Sequence, residues 1–323
     1  MIKHSVKMFA VTFAFIAALY PAAAQDIAEA PVEPELSIIQ EFALDSSERM
    51  TVQVQVNGSK AVPFIVDTGS ERTVIANDLA KRLLLENGPR LKLATISGQT
   101  EVNSFFIDRL TTSAVDLQGL EAPGLERSNL GAYGLLGIDS LEDNRVLLDF
   151  AKQTMDVLPS PKSRGKSKLE NGMIVVSAKR RAGRMIISSA KIDGMKVDII
   201  LDTGAQSSMG NTALREKLRR RHRTIDYVPV QMRSVTGSLL MGEFTQIQEI
   251  DVGGLTISDL PITFANNYAF TALKMQDRPA ILLGMDALRL FDRVMIDFGN
   301  RRVGFDLPSG VERKSFTRLA SAQ

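Results

Sequence analysis

The chain has 323 residues, of which 44% are apolar, a length that suits two domains of ordinary size. It has no cysteine and only two histidines, His4 and His222, which excludes disulfides, thiol nucleophiles and histidine-rich zinc sites and leaves hydrolytic chemistry to carboxylates. The net charge is −10 from Gln25 to Leu158 and +10 from Pro159 onward, a balance that either favours docking of the two halves or has no structural consequence.

The N-terminal residues have the pattern of a secretory signal. A basic start with Lys3 and Lys7 precedes thirteen apolar residues, Met8 to Tyr20, and three alanines follow at 22–24. Thirteen apolar residues are too few to span a bilayer, which takes ~20. We therefore predict a signal peptide at residues 1–24, a periplasmic or secreted protein, and no stable membrane insertion after signal cleavage.

Residues 36–158 are predicted to form an N-terminal lobe of short strands. An alternating strand and a turn come first, and a second strand leads into an Asp-Thr-Gly triplet. A helix-like stretch, a hairpin with a glycine, an apolar-apolar-Gly motif and a last strand follow. In chain order these elements are Met50–Val56, Asn57-Gly58, Ala61–Val66, Asp67-Thr68-Gly69-Ser70, Leu79 to Leu83, Ile96-Ser97-Gly98, Leu135-Leu136-Gly137 and Arg145–Phe150.

A polar segment rich in Pro, Ser and Lys, residues 159–171, reads as a linker, and residues 172–310 repeat the first plan before a tail at 311–323. The two aspartates of the triplets are 135 residues apart, and the leucines of the helix-like stretches have the same offset. The second copy therefore predicts a C-terminal lobe of the same kind. Its elements are Met185–Ile192, Asp193-Gly194, Val197–Leu201, Asp202-Thr203-Gly204-Ala205, Leu214 to Leu218, Val235-Thr236-Gly237, Leu282-Leu283-Gly284 and Arg293–Phe298.

An aspartate at the end of an apolar strand needs a chemical reason, because burying a carboxylate without compensation costs several kcal/mol. The glycine of each triplet allows a sharp turn that brings backbone N–H groups close to the carboxylate. The threonine offers a short hydroxyl that can bond across to the other turn. Two carboxylates that face each other closely share one proton through like-charge repulsion, and such a pair can activate a water molecule without histidine, cysteine or metal.

The two triplets, each followed by Leu-Leu-Gly, resemble those of aspartic peptidases of the pepsin and retropepsin clan, over roughly Phe42 to Leu158 and Met173 to Leu307. The resemblance implies an all-β, bilobal acid-protease fold of two retropepsin-like β-barrel lobes with the active-site cleft between them. It also implies Asp67 and Asp202 as the catalytic pair and Thr68 and Thr203 as cross-braces. The residues supporting the pair would be Thr68, Gly69, Ser70, Thr203, Gly204 and Ala205, and the flaps over the substrate would carry Ser97, Gly98, Thr236 and Gly237.

The sequence departs from the pepsin pattern at two points. Neither predicted flap has a tyrosine, and Tyr133 lies just before Leu-Leu-Gly instead. Ser70 offers a hydroxyl near Asp67, whereas Ala205 offers none near Asp202. We therefore predict that Asp67 is the more readily ionised member of the pair and that Ala205→Ser changes the pH–rate profile.

The function predicted from the sequence is that of an aspartic endopeptidase that cuts an extended polypeptide with apolar side chains at the cleavage site, in limited processing of an exported protein. No cofactor or metal is expected. A nucleic-acid partner is not expected either, because the basic run 219–223 lacks aromatic neighbours. We expect a monomer with pseudo-two-fold symmetry. Two alternatives stay open: a non-catalytic peptide-binding protein of the same fold, and a homodimer in which each copy pairs with the same copy of another chain.

Overall fold

A computed structural model describes residues 38–141, 144–161, 169–170, 172–222 and 224–308. The predicted signal peptide, the predicted tail and most of the predicted linker lie outside these ranges. Within them, no helix has both the length and the apolar character needed to cross a membrane.

The N-terminal half folds into a small β-barrel. The described strands of this half, of which six close the barrel, are β1 (Ile38–Glu41), β2 (Ala43–Leu44), β3 (Met50–Val56), β4 (Val62–Val66), β5 (Val74–Ala76), β6 (Leu91–Thr95), β7 (Gly98–Val102), β8 (Ser104–Thr111), β9 (Asp116–Leu125), β10 (Gly134–Leu136), β11 (Asn144–Asp149) and β12 (Thr154–Pro159). Helices α1 (Asn77–Arg82) and α2 (Arg127–Leu130) and a 3-10 turn (Ile138–Ser140) connect them. The strand order β3-β4-β10-β5-β9-β8 closes because β3 also pairs with β8. Val54 and Val56 are buried while Gln53 and Gln55 are exposed, so the alternation in β3 separates core from solvent.

The C-terminal half repeats this barrel. The described strands of this half, of which six close the barrel, are β13 (Leu169–Glu170), β14 (Met173–Ser177), β15 (Lys179–Arg181), β16 (Arg184–Ile192), β17 (Met195–Leu201), β18 (Met209–Gly210), β19 (Val228–Arg233), β20 (Leu239–Val252), β21 (Leu255–Phe264), β22 (Ala280–Leu283), β23 (Arg293–Asp297) and β24 (Arg302–Asp306). Its helices are α3 (Thr212–Arg221), α4 (Tyr268–Ala272) and α5 (Met285–Leu288). The order β16-β17-β22-β18-β21-β20 closes through a pairing of β16 with β20.

A third sheet joins the two lobes, in the order β1-β12-β11-β23-β24-β14-β13. Its centre is the antiparallel pair β11 and β23, in which Val146 lies opposite Ile296 and Leu148 opposite Val294. All four side chains are fully buried, so the strands that close the two copies form part of one continuous core.

The predicted all-β fold with two lobes is confirmed, and the joining sheet includes some residues of the predicted linker. Pro159 is the last residue of β12, and Leu169–Glu170 form β13, so three described residues of the segment 159–171 belong to strands. Backbone pairing with β11 and β14 explains this, because a polar sequence can still complete the edge of a sheet through its main chain. Two ion pairs also link the acidic and basic halves, Arg184 with Glu71 and Arg289 with Glu48.

Candidate active site

The two Asp-Thr-Gly turns lie at equivalent ends of the two barrels. Asp67 follows β4, and its N–H donates to Leu136 O at 3.0 Å; Asp202 follows β17, and its N–H donates to Leu283 O at 3.0 Å. In each lobe the apolar-apolar-Gly strand runs parallel to the strand that delivers the aspartate. Leu136 and Leu283 are fully buried, so these motifs support the turns from the core.

Hydrogen bonds between Thr68 and Thr203 join the two turns of this single chain. Thr203 Oγ1 accepts from Thr68 N at 3.1 Å and donates to Val66 O at 2.7 Å. Thr68 Oγ1 accepts from Thr203 N at 3.1 Å and donates to Leu201 O at 3.2 Å. Both threonines are buried, so each hydroxyl satisfies a donor and an acceptor that water does not reach.

Gly69 and Gly204 let the two carboxyl groups approach each other. A Cβ atom on Gly69 would overlap the carboxylate of Asp202, and one on Gly204 would overlap that of Asp67. The Asp67 and Asp202 carboxyl groups therefore lie close enough for each to influence the pKa of the other. Each carboxylate accepts from its own turn as well: Gly69 N lies 2.8 Å from Asp67 Oδ1, and Gly204 N lies 3.0 Å from Asp202 Oδ1.

The electrostatic environment favours a proton held between the two aspartates. Burial raises the pKa of Asp202 to about 8, and repulsion from Asp67 acts in the same direction. Burial also raises the pKa of Asp67, while the Gly69 N–H bond and the positive charge of Arg184 oppose that rise. The pair therefore keeps one proton into the neutral range, as expected of two half-buried carboxyl groups that lie this close together.

The structure corrects the role expected of Ser70. Its hydroxyl donates to Arg72 O at 2.8 Å rather than to Asp67. Ala205 takes the equivalent place, and its N–H donates to Asp202 Oδ1 at 3.1 Å. The serine hydroxyl bonds within its own loop because a main-chain acceptor lies two residues along the chain. Replacing Ser70 by alanine, as at Ala205, would therefore remove no direct hydrogen bond to a carboxylate.

A second pair of carboxylates, Asp139 and Asp286, supports the segments that follow the two turns. Asp139 accepts from both the N–H and the hydroxyl of Thr73 at 2.8 Å. Asp286 accepts from the N–H of Ser208 at 2.8 Å and from its hydroxyl at 2.7 Å. The sequence analysis did not identify these two aspartates as site residues. Their matched position, two residues after each Leu-Leu-Gly, was the available signal.

Arg184 is the other site residue that sequence reasoning missed. It comes from β16 of the C-terminal lobe and reaches the N-terminal turn, where its Nε donates to Gly69 O at 2.5 Å. Its Nη1 lies 3.5 Å from Glu71 Oε1. A guanidinium group therefore lies beside the aspartate pair.

The two predicted flap hairpins, β6–β7 and β19–β20, border a cleft of about 1060 Å³ that contains Asp67 and Asp202. Ile96 O accepts from the N–H of Tyr268 at 3.0 Å, so the first hairpin contacts α4 of the opposite lobe. A Cβ on Gly237 would lie 3.1 Å from Asn129 Nδ2, so the second hairpin contacts α2.

The four predicted flap residues lie at the hairpin turns, but they do not line the cleft. Ile96 and Ser97 form the first turn and Gly98 is the first residue of β7, whereas Val235, Thr236 and Gly237 lie in the second turn. The residues of the turns that line the cleft are the apolar neighbours Ile96 and Val235. Among the described residues, no group of three or more His, Asp or Glu is placed to hold a metal ion.

The family comparisons agree with this geometry. Residues 52–143 match the model of the gag-polyprotein aspartyl protease family, and residues 188–287 match the model of the aspartyl protease family. The two matches are in tandem, and each contains one Asp-Thr-Gly turn. No curated protein gives a significant match to the chain.

Proposed function

Because this chain belongs to the retropepsin-like aspartic peptidases, we propose that it is an endopeptidase in which Asp67 and Asp202 together activate water for attack on a peptide bond. The observation that carries the proposal is geometric: within one chain, each of the two half-buried carboxyl groups lies against the turn glycine of the other aspartate. A pair that shares one proton supplies both a general base and a general acid.

The proton distribution supports a division of roles. With a pKa of about 8, Asp202 is protonated at neutral pH and can donate to the oxygen of the scissile carbonyl. Asp67, which Gly69 N–H and Arg184 stabilise as the carboxylate, takes a proton from the attacking water. The product is a tetrahedral intermediate with no covalent bond to the enzyme. Cleavage at neutral pH is expected from this arrangement.

The cleft favours an extended polypeptide with apolar side chains next to the cleaved bond. Its apolar lining residues include Leu93, Ile96, Leu125, Met209, Val235 and Leu282. Both hairpins contact the opposite lobe, so a folded domain cannot enter between them without displacing these contacts. This geometry supports limited processing of exposed segments rather than digestion of folded proteins.

We further propose that the protein acts outside the cytoplasm as a monomer. The first part rests on the signal pattern of residues 1–24. The second rests on the hydrogen bonds that join Thr68 and Thr203 of one chain, since they complete the paired turns without a second subunit.

The test uses unfolded casein and a peptide library with the wild type, Asp67→Asn, Asp202→Asn and the exposed control Asp277→Asn. We expect each active-site variant to lose activity by at least about 100-fold, because it removes one half of the acid–base pair, while Asp277→Asn cleaves like the wild type. Peptide binding without cleavage by the wild type would show a non-catalytic binding protein.

The same variants separate a monomer from a homodimer with homotypic pairs. In such a dimer, Asp67→Asn leaves the Asp202 pair intact and Asp202→Asn leaves the Asp67 pair intact, so each single variant would stay active. In the proposed monomer both variants are inactive, and sedimentation of the wild type gives the mass of one chain.

A further inference from the structure

Two arginines occupy equivalent positions in the two repeats. Arg49 and Arg184 are 135 residues apart, as Asp67 and Asp202 are, and both side chains are 12% exposed. Arg49 stays within its own lobe, where its Nη2 lies 2.7 Å from Asp45 Oδ2 and 2.6 Å from Leu130 O. Only Arg184 reaches the aspartate turn of the opposite lobe.

Arg184 contacts the backbone of the Asp67 turn, and its positive charge affects the pKa of both aspartates. Its Nε donates to Gly69 O at 2.5 Å, which holds the first turn from the second lobe. Its positive charge opposes the effect of burial on both Asp67 and Asp202, and so lowers the pKa of each. Arg49 also borders the cleft, but it is not among the main influences on the pKa of either aspartate.

Three other charged groups lie near Arg184 or the cleft. Glu71, at 3.5 Å, is 54% exposed, so solvent screens part of its attraction. Arg181 lies opposite Arg184 in the β15–β16 hairpin, but its guanidinium is directed to Leu273 O at 2.7 Å. Arg72 is exposed at the border of the cleft.

We propose that Arg184 is a positioning residue that anchors the Asp67-Thr68-Gly69 turn across the lobe boundary and sets the pH range in which Asp67 and Asp202 share one proton. The proposal deepens the proposed function and rests on it for its meaning in catalysis. A positive charge beside the turn favours the ionised form of a carboxylate. Without it, both titrations move to higher pH, by on the order of one unit.

The direct test is a carbon-13 NMR titration of the aspartate carboxyl groups, since it needs no catalytic activity. The proteins compared are the wild type, Arg184→Gln, Arg184→Lys and Arg49→Gln, with Asp202→Asn to assign the signals. Glutamine removes the charge but keeps an amide that can donate to Gly69 O, whereas lysine keeps the charge. Arg49→Gln is the matched control because its arginine is equally buried.

We expect Arg184→Gln to raise both titrations by about one pH unit, while Arg184→Lys and Arg49→Gln stay within a few tenths of the wild type. In kcat/KM profiles on a cleaved peptide, both limits of the Arg184→Gln profile should move to higher pH by the same amount. Unchanged titrations in Arg184→Gln, an equal change in Arg49→Gln, or a shift in Arg184→Lys equal to that in Arg184→Gln would overturn the proposal. If the carboxyl titrations shift as expected but no peptide is cleaved by the wild type, the charge effect stands and the proposed peptidase function fails.

Discussion

The hydroxyl of Thr203 offers the sharpest test of how the two turns are held together. Thr203→Val keeps the shape of the side chain and removes one oxygen that serves Thr68 N at 3.1 Å and Val66 O at 2.7 Å. Thr203 is fully buried, so water cannot replace either bond. A buried polar group without a partner costs about 1–3 kcal/mol, and two such groups give an expected loss of about 2–6 kcal/mol. That is a large share of a stability that is usually about 5–15 kcal/mol.

The assay is urea unfolding of the wild type, Thr203→Val, Thr68→Val and the control Thr111→Val. Thr68→Val should cost less than Thr203→Val, because the bond from Thr68 Oγ1 to Leu201 O is longer, at 3.2 Å. Thr111 makes only an exposed contact of 3.5 Å with Gln55, so its replacement should change stability by less than about 0.5 kcal/mol. The double variant should lose less than the sum of the two single losses, because both hydroxyls belong to one network. A Thr203→Val protein as stable as the control would refute this reasoning.

Two further predictions concern the carboxyl groups. With its pKa raised to about 8, Asp202 keeps in the folded protein a proton that the unfolded chain loses near pH 4, so stability should fall as pH rises from about 4 to 8. Asp202→Asn should flatten this slope, with unfolding curves that agree near pH 4 and differ by a few kcal/mol near pH 8; parallel curves would contradict it. Gly204→Ala places a Cβ atom on the carboxylate of Asp67, so it should lower both stability and cleavage, the latter by about 100-fold, and a variant with wild-type kinetics would contradict the observed contact.

Local features of the fold could be predicted because they depend on short stretches of sequence. The strand predicted at Met50–Val56 has those bounds in the structure. The Asn57-Gly58 and Asp193-Gly194 turns have positive φ at both residues, 49° and 73° in the first and 49° and 74° in the second. The second half repeats the sequence pattern of the first, so the same fold was predicted for the second lobe.

The sheet that joins the lobes could not be predicted in the same way. The strands around Val146 and Ile296 have the same apolar pattern whether they close separate barrels or pair with each other. Their pairing spans about half the chain, and no local turn sets it. The partner of Ser70 was missed for a related reason, because the choice between Asp67 and Arg72 O depends on the conformation of the loop and not on residue type.

The differences between the two repeats explain how a symmetric plan can give an asymmetric site. Glu71 lies four residues after Asp67, and the residue four places after Asp202 is the neutral Gln206. An acid at the first position attracts Arg184 across the lobe boundary, whereas Arg49 meets no acid there and binds Asp45 instead. Of these two equivalent arginines, only Arg184 therefore contacts the aspartate turn of the other lobe. Two identical subunits would impose the same surroundings on both carboxyl groups, but a single chain with two copies can place one cation at one of the two turns and so make the two surroundings unequal.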